Sequence, residues 1–177
     1  MSDGFEELEL LDTKLTLDHA GAATFIIAPK TDRVIGSRAG RGQKEIRVDI
    51  ALKSAKPQDF HALFLPGGSA NAVSLAADDH AIRFVNTFLE LGKPIGTMAE
   101  GLKLLQSEHL RGRTITSGPV SGEDLKNAGA NPLDKSVVCD GNLITARSLN
   151  DVEEFNREFT RVLGEVREHS SEIRRTA

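Results

Sequence analysis

The segment LPGGSAN, residues 65–71, places two glycines directly after an apolar run. Gly67 and Gly68 allow another group to approach the backbone closely, and their N–H groups can point at an anion. The same pair also suits a plain turn between a strand and a helix, so both interpretations stay open. No Gly-Lys-Ser or Gly-Lys-Thr follows, which excludes a P-loop. Together with Ser69, the two glycines form one side of a candidate pocket.

The segment KPIGTMAEGLKLL, residues 93–105, predicts a strand, a tight turn and a helix. In many α/β enzymes such a turn carries a nucleophilic Ser or Cys. Here the turn contains Ala99, Glu100 and Gly101, and none of these offers a good nucleophile. A carboxylate at a helix N-terminus is stabilised by about 0.3–1 kcal/mol. For Glu100, taken alone, this favours a capping role over acid catalysis.

A second carboxylate comes from the segment EELE, residues 6–9. Glu6 and Glu7 are interpreted as ordinary first-turn helix residues. If Glu9 points into the same cleft as Glu100, the two carboxylates compete to ionise and the pKa of one of them rises. Such a pair can act as acid and base. Glu9 and Glu100 are therefore the candidate catalytic residues.

Composition excludes several classes of function. The net charge of −4 and the lack of Trp and Tyr argue against nucleic-acid binding. No apolar run approaches the roughly 20 residues that span a bilayer. The five His residues show no metal-ligand spacing, so neither a metal site nor a cofactor is predicted. The single Cys, Cys139, excludes an intramolecular disulfide and predicts a cytoplasmic location.

Strand and helix patterns alternate along the chain, which predicts a parallel sheet covered by helices on both faces. A helix is predicted from Phe5, with Leu8, Leu11 and Leu15 on its apolar side. A loop or irregular hairpin that includes Arg41 and a helix capped by Ser121 are also predicted. A further helix is predicted over GLKLLQSEHL, residues 101–110. The predicted strands are TFIIAP, EIRVDIAL, HALFLPGG, PIGTM, RTITS and two segments of SVVCDGNLITAR. One domain is expected over residues 1–166, followed by a polar tail over 167–177.

The beginning of the chain is unusual for such a fold. A doubly wound sheet normally opens with a strand before its first helix, whereas this chain starts at the loop, MSDGFEE. We therefore expect the first strand to be missing from this chain: either it lies upstream of Met1, or the sheet lacks a central strand. An unfilled central position would expose ladder groups on two neighbouring strands.

The order of several segments resembles the PfpI/DJ-one family of the class I glutamine amidotransferase-like superfamily. The segments are DGFEELE, VDIAL, DFHALFLPGG, FVNTFLELGKPIG, LRGRTITS, DLKNAGA and DGNLITAR. The resemblance implies a flavodoxin-like α/β fold, a homodimer or higher oligomer, and relatives that include proteases, deglycase or glyoxalase-like enzymes, chaperones and stress proteins. Residues 64–105 also resemble the C-terminal domain of large-subunit catalases, which has a similar elbow. Catalase activity is not implied, because no haem-binding region is present.

The resemblance also assigns site residues. The family's nucleophilic Cys falls on Ala99 and its neighbouring His on Glu100, while the Glu that hydrogen-bonds the nucleophile matches Glu9. The backbone donors of the oxyanion hole match Gly68 and Glu100, and Arg147 matches an Arg of a family motif. Without a thiol at Ala99 the family's covalent chemistry has no nucleophile.

Three functions follow as alternatives. The first is a stress-related protein without thiol catalysis that binds a small ligand or a partner. The second is an enzyme of altered chemistry, of the hydrolase, glyoxalase or lyase type, that uses Glu9 and Glu100 as acid and base. The third is a structural module like the catalase domain. The second requires the two carboxylates to lie within about one water molecule of each other.

Overall fold

The structure is a computed structural model that describes residues 1–38, 43–118 and 122–176. The predictions for Arg41 and Ser121 lie outside these ranges. The strands are β1 (Phe5–Glu6), β2 (Ile27–Ala28), β3 (Arg33–Ser37), β4 (Glu45–Arg47), β5 (Ile50–Ala51), β6 (Leu63–Leu65), β7 (Ile95–Met98), β8 (Thr114–Ile115), β9 (Asn131–Pro132), β10 (Val137–Asp140) and β11 (Leu143–Ala146). The α-helices are α1 (Glu7–His19), α2 (Ser69–Ala76), α3 (Asp79–Glu90), α4 (Ser107–Leu110), α5 (Gly122–Asn127) and α6 (Val152–Thr176).

The largest sheet has the strand order β10-β11-β7-β6. Strands β6 and β11 run parallel to β7, and β10 is an antiparallel edge strand. In the register, Leu65 pairs with Thr97, so β6 and β7 end at the same edge of the sheet. The turns that follow these two strands therefore meet, as expected for a site at the carboxyl edge of a parallel sheet.

Helices cover both faces of this sheet, as predicted. On one face, α6 packs with Phe155 and Phe159 against Ile144 of β11 and Met98 of β7. On the other face, the core is built by α2, α3 and α5, with Phe88 fully buried. The architecture is thus the predicted flavodoxin-like α/β fold. None of the described helices is long and apolar enough to cross a membrane.

The remaining strands form smaller sheets, with the orders β1-β3-β4, β2-β5 and β8-β9. Strand β6 is an edge strand of the large sheet, and β2 pairs only with β5. Within the described ranges no strand lies between β2 and β6.

Two helix predictions need correction near the site. Phe5 and Glu6 form β1, which pairs with β3, so α1 begins at Glu7. Its buried side carries Leu10, Thr13 and Leu17, whereas Leu15 is 55% exposed. The predicted apolar stripe was wrong because helical spacing fits both rows of leucines, and only packing against the sheet selects one.

The elements that follow the two glycine turns also differ from the prediction. Ser69–Ala76 form helix α2, which starts immediately after the two glycines. Residues Ala99–Leu104 form a 3-10 helix, and the chain breaks at Leu105 before α4. One continuous helix over residues 101–110 is therefore wrong. A Cβ on Gly101 would lie 2.5 Å from the Leu65 carbonyl, so this tighter turn packs directly on β6.

Candidate functional site

The turn after β7 has the backbone of a nucleophile elbow. Ala99 has φ 44°, and it is the only non-glycine residue with a positive φ in the described part of the chain. This backbone conformation costs an L-residue on the order of 1–3 kcal/mol. It is therefore kept only where the surrounding structure enforces it. The elbow is enforced here by the close contact of Gly101 with β6 and Thr97. A methyl group therefore stands where an elbow would present a nucleophile.

Glu9 reaches the same place from the first turn of α1. Its Oε2 accepts a hydrogen bond of 2.7 Å from the Gly67 N–H, and only 3% of the residue is exposed. Burial raises the pKa of Glu9 from 4.5 to about 7, against the opposing effect of the Gly67 hydrogen bond. The nearby charges of Glu6 and Glu100 raise it further. Glu9 is thus a carboxyl group that exchanges its proton near neutral pH.

Glu100 turns back over the pocket and does not cap the 3-10 helix that it begins. Its Oε2 accepts a hydrogen bond of 3.2 Å from the Gly68 N–H, and its Oε1 accepts one of 3.3 Å from the Ser69 hydroxyl. No side-chain capping bond is formed at the start of the 3-10 helix. The Gly68 N–H, predicted as an oxyanion donor, is therefore occupied by a carboxylate of the protein itself.

The two carboxylates and the elbow converge on Gly67. A Cβ on this glycine would lie 3.0 Å from Glu9 Oε2, 3.1 Å from Glu100 Oε2 and 3.2 Å from Ala99 Cβ. The two oxygens are therefore at most 6.1 Å apart, the sum of the first two distances. This upper bound is the separation that one bridging water molecule can span, so the two carboxylates meet the requirement for an acid–base pair. A Cβ at this position would be in tight contact with all three groups, which would have to shift outward by a few tenths of an ångström.

Of the other predicted pocket residues, Ser69 joins the site and Arg147 does not. The Arg147 guanidinium donates to Asp134 at 2.7 Å and to Asp151 at 3.3 Å. These two carboxylates hold its pKa above the usual value, with Asp151 the larger influence. Arg147 therefore belongs to a surface ion-pair group and, in this structure, makes no contact with Glu9 or Glu100.

Sequence reasoning missed two contributors. Glu6 lies in β1, where its N–H donates to the Gly67 carbonyl, and burial raises the pKa of its carboxyl group. Asn71, 1% exposed, donates from Nδ2 to the carbonyls of Pro66 and Gly67 and accepts from the Ser2 N–H. The Glu6–Gly67 and Ser2–Asn71 hydrogen bonds join residues far apart in sequence. The one local signal was the unusual density of carboxylates in residues 6–9.

The electrostatics of the site are dominated by negative charge. Glu6, Glu7, Glu9 and Glu100 lie around it. The Arg38 guanidinium lies 4.0 Å from the Glu7 carboxylate, and its charge also acts to lower the pKa of Glu6. The N–H groups of Gly67 and Gly68 already donate to carboxylates. An incoming carboxylate or oxyanion would face other hydrogen-bond acceptors and be repelled. A hydroxyl, amide N–H or ammonium group could instead donate hydrogen bonds to the carboxylates. In the described part of the chain, no group of three or more His, Cys, Asp or Glu is arranged to hold a metal.

Comparison with known proteins agrees with this fold. The profile of the DJ-1/PfpI family matches residues 1–162, and the chain belongs to that family. An uncharacterized protein of Staphylococcus epidermidis is 34% identical over 165 residues, which cover 92% of this chain and 94% of the relative. Among solved structures, Drosophila melanogaster DJ-1beta is 25% identical with a TM-score of 0.82, covering 98% of this chain and 94% of its own. A cysteine-to-alanine variant of a DJ-1 superfamily protein from Salmonella typhimurium is 30% identical with a TM-score of 0.75, covering 97% and 94%.

Proposed function

We propose that this DJ-1/PfpI-family protein binds a small ligand without thiol catalysis. We further propose that the ligand presents hydrogen-bond donors or a positive charge, as an amine or a polyol does. The observation behind this is that the Glu100 carboxylate accepts from the Gly68 N–H and the Ser69 hydroxyl. A family site that stabilises an oxyanion needs the N–H at the Gly68 position free. With the donors occupied and Ala99 at the elbow, recognition by Glu9 and Glu100 replaces attack on a carbonyl group.

Thermal unfolding with matched probes tests the ligand class. Millimolar 1,4-diaminobutane or glycerol should raise the melting temperature, because a ligand at a hundred times its Kd stabilises by about 2.7 kcal/mol. Succinate, a dicarboxylate of similar length, should leave the melting temperature unchanged. The variant Glu100→Gln should lose the response to the amine. A response to succinate alone would contradict the proposal.

A second candidate function is acid–base catalysis by Glu9 and Glu100. It is favoured by the separation of at most 6.1 Å between their Oε2 atoms and by the raised pKa of Glu9. Methylglyoxal consumption by the wild-type protein that is lost in Glu9→Gln would establish it and would overturn binding without catalysis. The absence of turnover in both proteins would leave binding as the function.

We also propose a cytoplasmic homodimer. The lone Cys139 is exposed and unpaired, which suits a reducing compartment. The leucines on the outer side of α1 supply an apolar surface for a second copy of the chain: Leu8 and Leu11 are half-buried and Leu15 is exposed. A stress-related role stays a hypothesis drawn from the resemblance alone.

A further inference from the structure

The charges around Glu9 favour a cation beside it. Burial is the main cause of the raised pKa of Glu9, and the negative charges of Glu6 and Glu100 raise it further. The Arg38 guanidinium acts on Glu7 and Glu6, farther out in the same cluster. A positive charge placed between Glu9 and Glu100 would therefore offset a repulsion that the groups of the pocket maintain.

The spacing of the two carboxylates fits one nitrogen atom. Their Oε2 atoms lie 3.0 and 3.1 Å from the Cβ position of Gly67, so they reach the full separation of 6.1 Å only if they stand on opposite sides of it. An N⁺–H donor lies about 2.7–2.9 Å from a carboxylate oxygen, so one nitrogen can bridge two oxygens up to about 5.8 Å apart. The Ser69 hydroxyl, which donates to Glu100 Oε1, keeps lone pairs that can accept another N–H. A primary ammonium group has three N–H donors for these three acceptors.

The exposure of the pocket residues sets the direction from which a ligand enters. Glu9 is buried, Glu100 is half-buried and Ser69 is exposed. A ligand therefore meets Ser69 and Glu100 first, and its leading end reaches Glu9 last. The Ala99 methyl group lies 3.2 Å from the same Cβ position as the two oxygens, so the inner end of the pocket is narrow. The compact head of a primary amine suits this end, whereas a quaternary ammonium is wider and has no N–H to donate.

Binding of a cation at this position is linked to the proton of Glu9. A positive charge within a few ångströms favours the ionised form of a carboxyl group. The ammonium group enters with all its own protons and Glu9 gives its proton to water, so no covalent bond of the ligand forms or breaks. Because such coupling is reciprocal, ionisation of Glu9 must in turn strengthen binding of the ammonium group.

We propose that the pocket binds one primary ammonium group that bridges Glu9 and Glu100, and that this binding releases the proton of Glu9. The inference rests on the proposed function, binding of a ligand with donors or a positive charge, and adds the head group and its coupling to pH. Affinity should rise with pH while Glu9 ionises and should level off above that range. Because the pKa of Glu9 in the folded protein is about 7, the rise from pH 6 to pH 8 should be about tenfold.

Calorimetry with butylammonium, which stays protonated over this pH range, tests both parts of the proposal. At pH 6, the binding heats measured in phosphate and in MES buffer should differ by the release of about one proton per ligand. The dissociation constant should fall about tenfold between pH 6 and pH 8. Tetramethylammonium carries the same charge without N–H donors and should bind at least tenfold more weakly. Equal affinity for the two cations would overturn the bridging head group.

Variants identify the group that releases the proton. Glu9→Gln should release none, and its remaining affinity for butylammonium should not change between pH 6 and pH 8. Proton release that persists in Glu9→Gln and disappears in Glu6→Gln would assign the proton to Glu6 and overturn the proposal. Binding of butylammonium to the wild-type protein without proton release would overturn this inference and leave the proposed function standing. If butylammonium, diaminobutane and glycerol all fail to bind at every pH, both are overturned.

Discussion

The carboxyl group of Glu9 illustrates how one residue can be placed for proton exchange by its surroundings. It is buried beside the elbow, and the Gly67 N–H offsets only part of the cost of ionising it there. Glu100, in contrast, holds two donors and reaches into the half-exposed part of the pocket. The carboxylates of Glu9 and Glu100 both lie beside Gly67 but have different surroundings. Such a difference allows one to act as an acid and the other as a base.

Replacing Glu9 should change how stability depends on pH. Because the folded-state pKa of about 7 lies above the unfolded value of 4.5, ionisation opposes folding, and stability falls as pH rises through that window. The loss should reach about 3 kcal/mol above pH 7, at about 1.4 kcal/mol per pH unit. In Glu9→Gln this loss disappears, so urea unfolding should show a growing advantage over wild type from pH 4.5 to 7.

The control for that measurement is Glu90→Gln, at the exposed end of α3. A surface substitution of this kind should stay within about 0.5 kcal/mol of wild type. If Glu9→Gln differs from wild type by a constant amount at all pH values, the carboxyl group of Glu9 is not the titrating group.

At the scale of elements, the two glycine turns position the site by close backbone contact. A Cβ on Gly68 would lie 2.2 Å from the Gly4 carbonyl, and Gly68 has φ 99°. The loop before α1 therefore packs directly on the loop before α2. This contact holds Glu9, at the start of α1, over the Gly67 N–H.

Replacing Gly68 should lower the free energy of unfolding by more than its left-handed backbone conformation alone would. Gly21→Ala is the matched control, because Gly21 has φ 79° and a Cβ added there would meet nothing within 4 Å. The control should lose about 1–2 kcal/mol of unfolding free energy, because alanine tolerates this positive φ poorly. Gly68→Ala should lose a further 1–3 kcal/mol or so from overpacking. Equal losses in chemical denaturation would show that the two loops separate easily.

The sequence predicted the elements whose signals are local. Helix α3 carries a local start signal, because Asp78 precedes it and the Asp78 side chain accepts from the His80 N–H. The two strand segments predicted within SVVCDGNLITAR pair as the β10–β11 hairpin. Strand β1 and the 3-10 helix after Ala99 were missed, because pairing with β3 and packing on β6 produce them. The same limit applied to the site: Glu9 and Glu100 could be nominated from sequence, but their convergence on Gly67 required the fold.

For the whole molecule, the outer side of α1 is a candidate surface for self-association. Leu15 is 55% exposed, while the opposite side of the helix, with Leu10 and Leu17, faces the interior and α6. A second copy that covered Leu8, Leu11 and Leu15 would remove apolar surface from water on both chains. The same helix carries Glu9, so association would also steady the first turn that places this carboxylate.

Introducing a charge on this surface should weaken the dimer. Leu15→Asp should raise the dimer dissociation constant at least tenfold, equivalent to about 1.4 kcal/mol, as measured by sedimentation equilibrium. Val73→Asp, at a 66% exposed position on α2, is the control and should leave the constant unchanged. If Val73→Asp weakens the dimer and Leu15→Asp does not, the interface lies on α2.

The strained backbone of Ala99 has a consequence for engineering. The fold already holds this residue at φ 44°, so Ala99→Cys would add a sulfur atom without requiring a new backbone conformation. A single codon change would thus graft a thiol onto an elbow that is already in place.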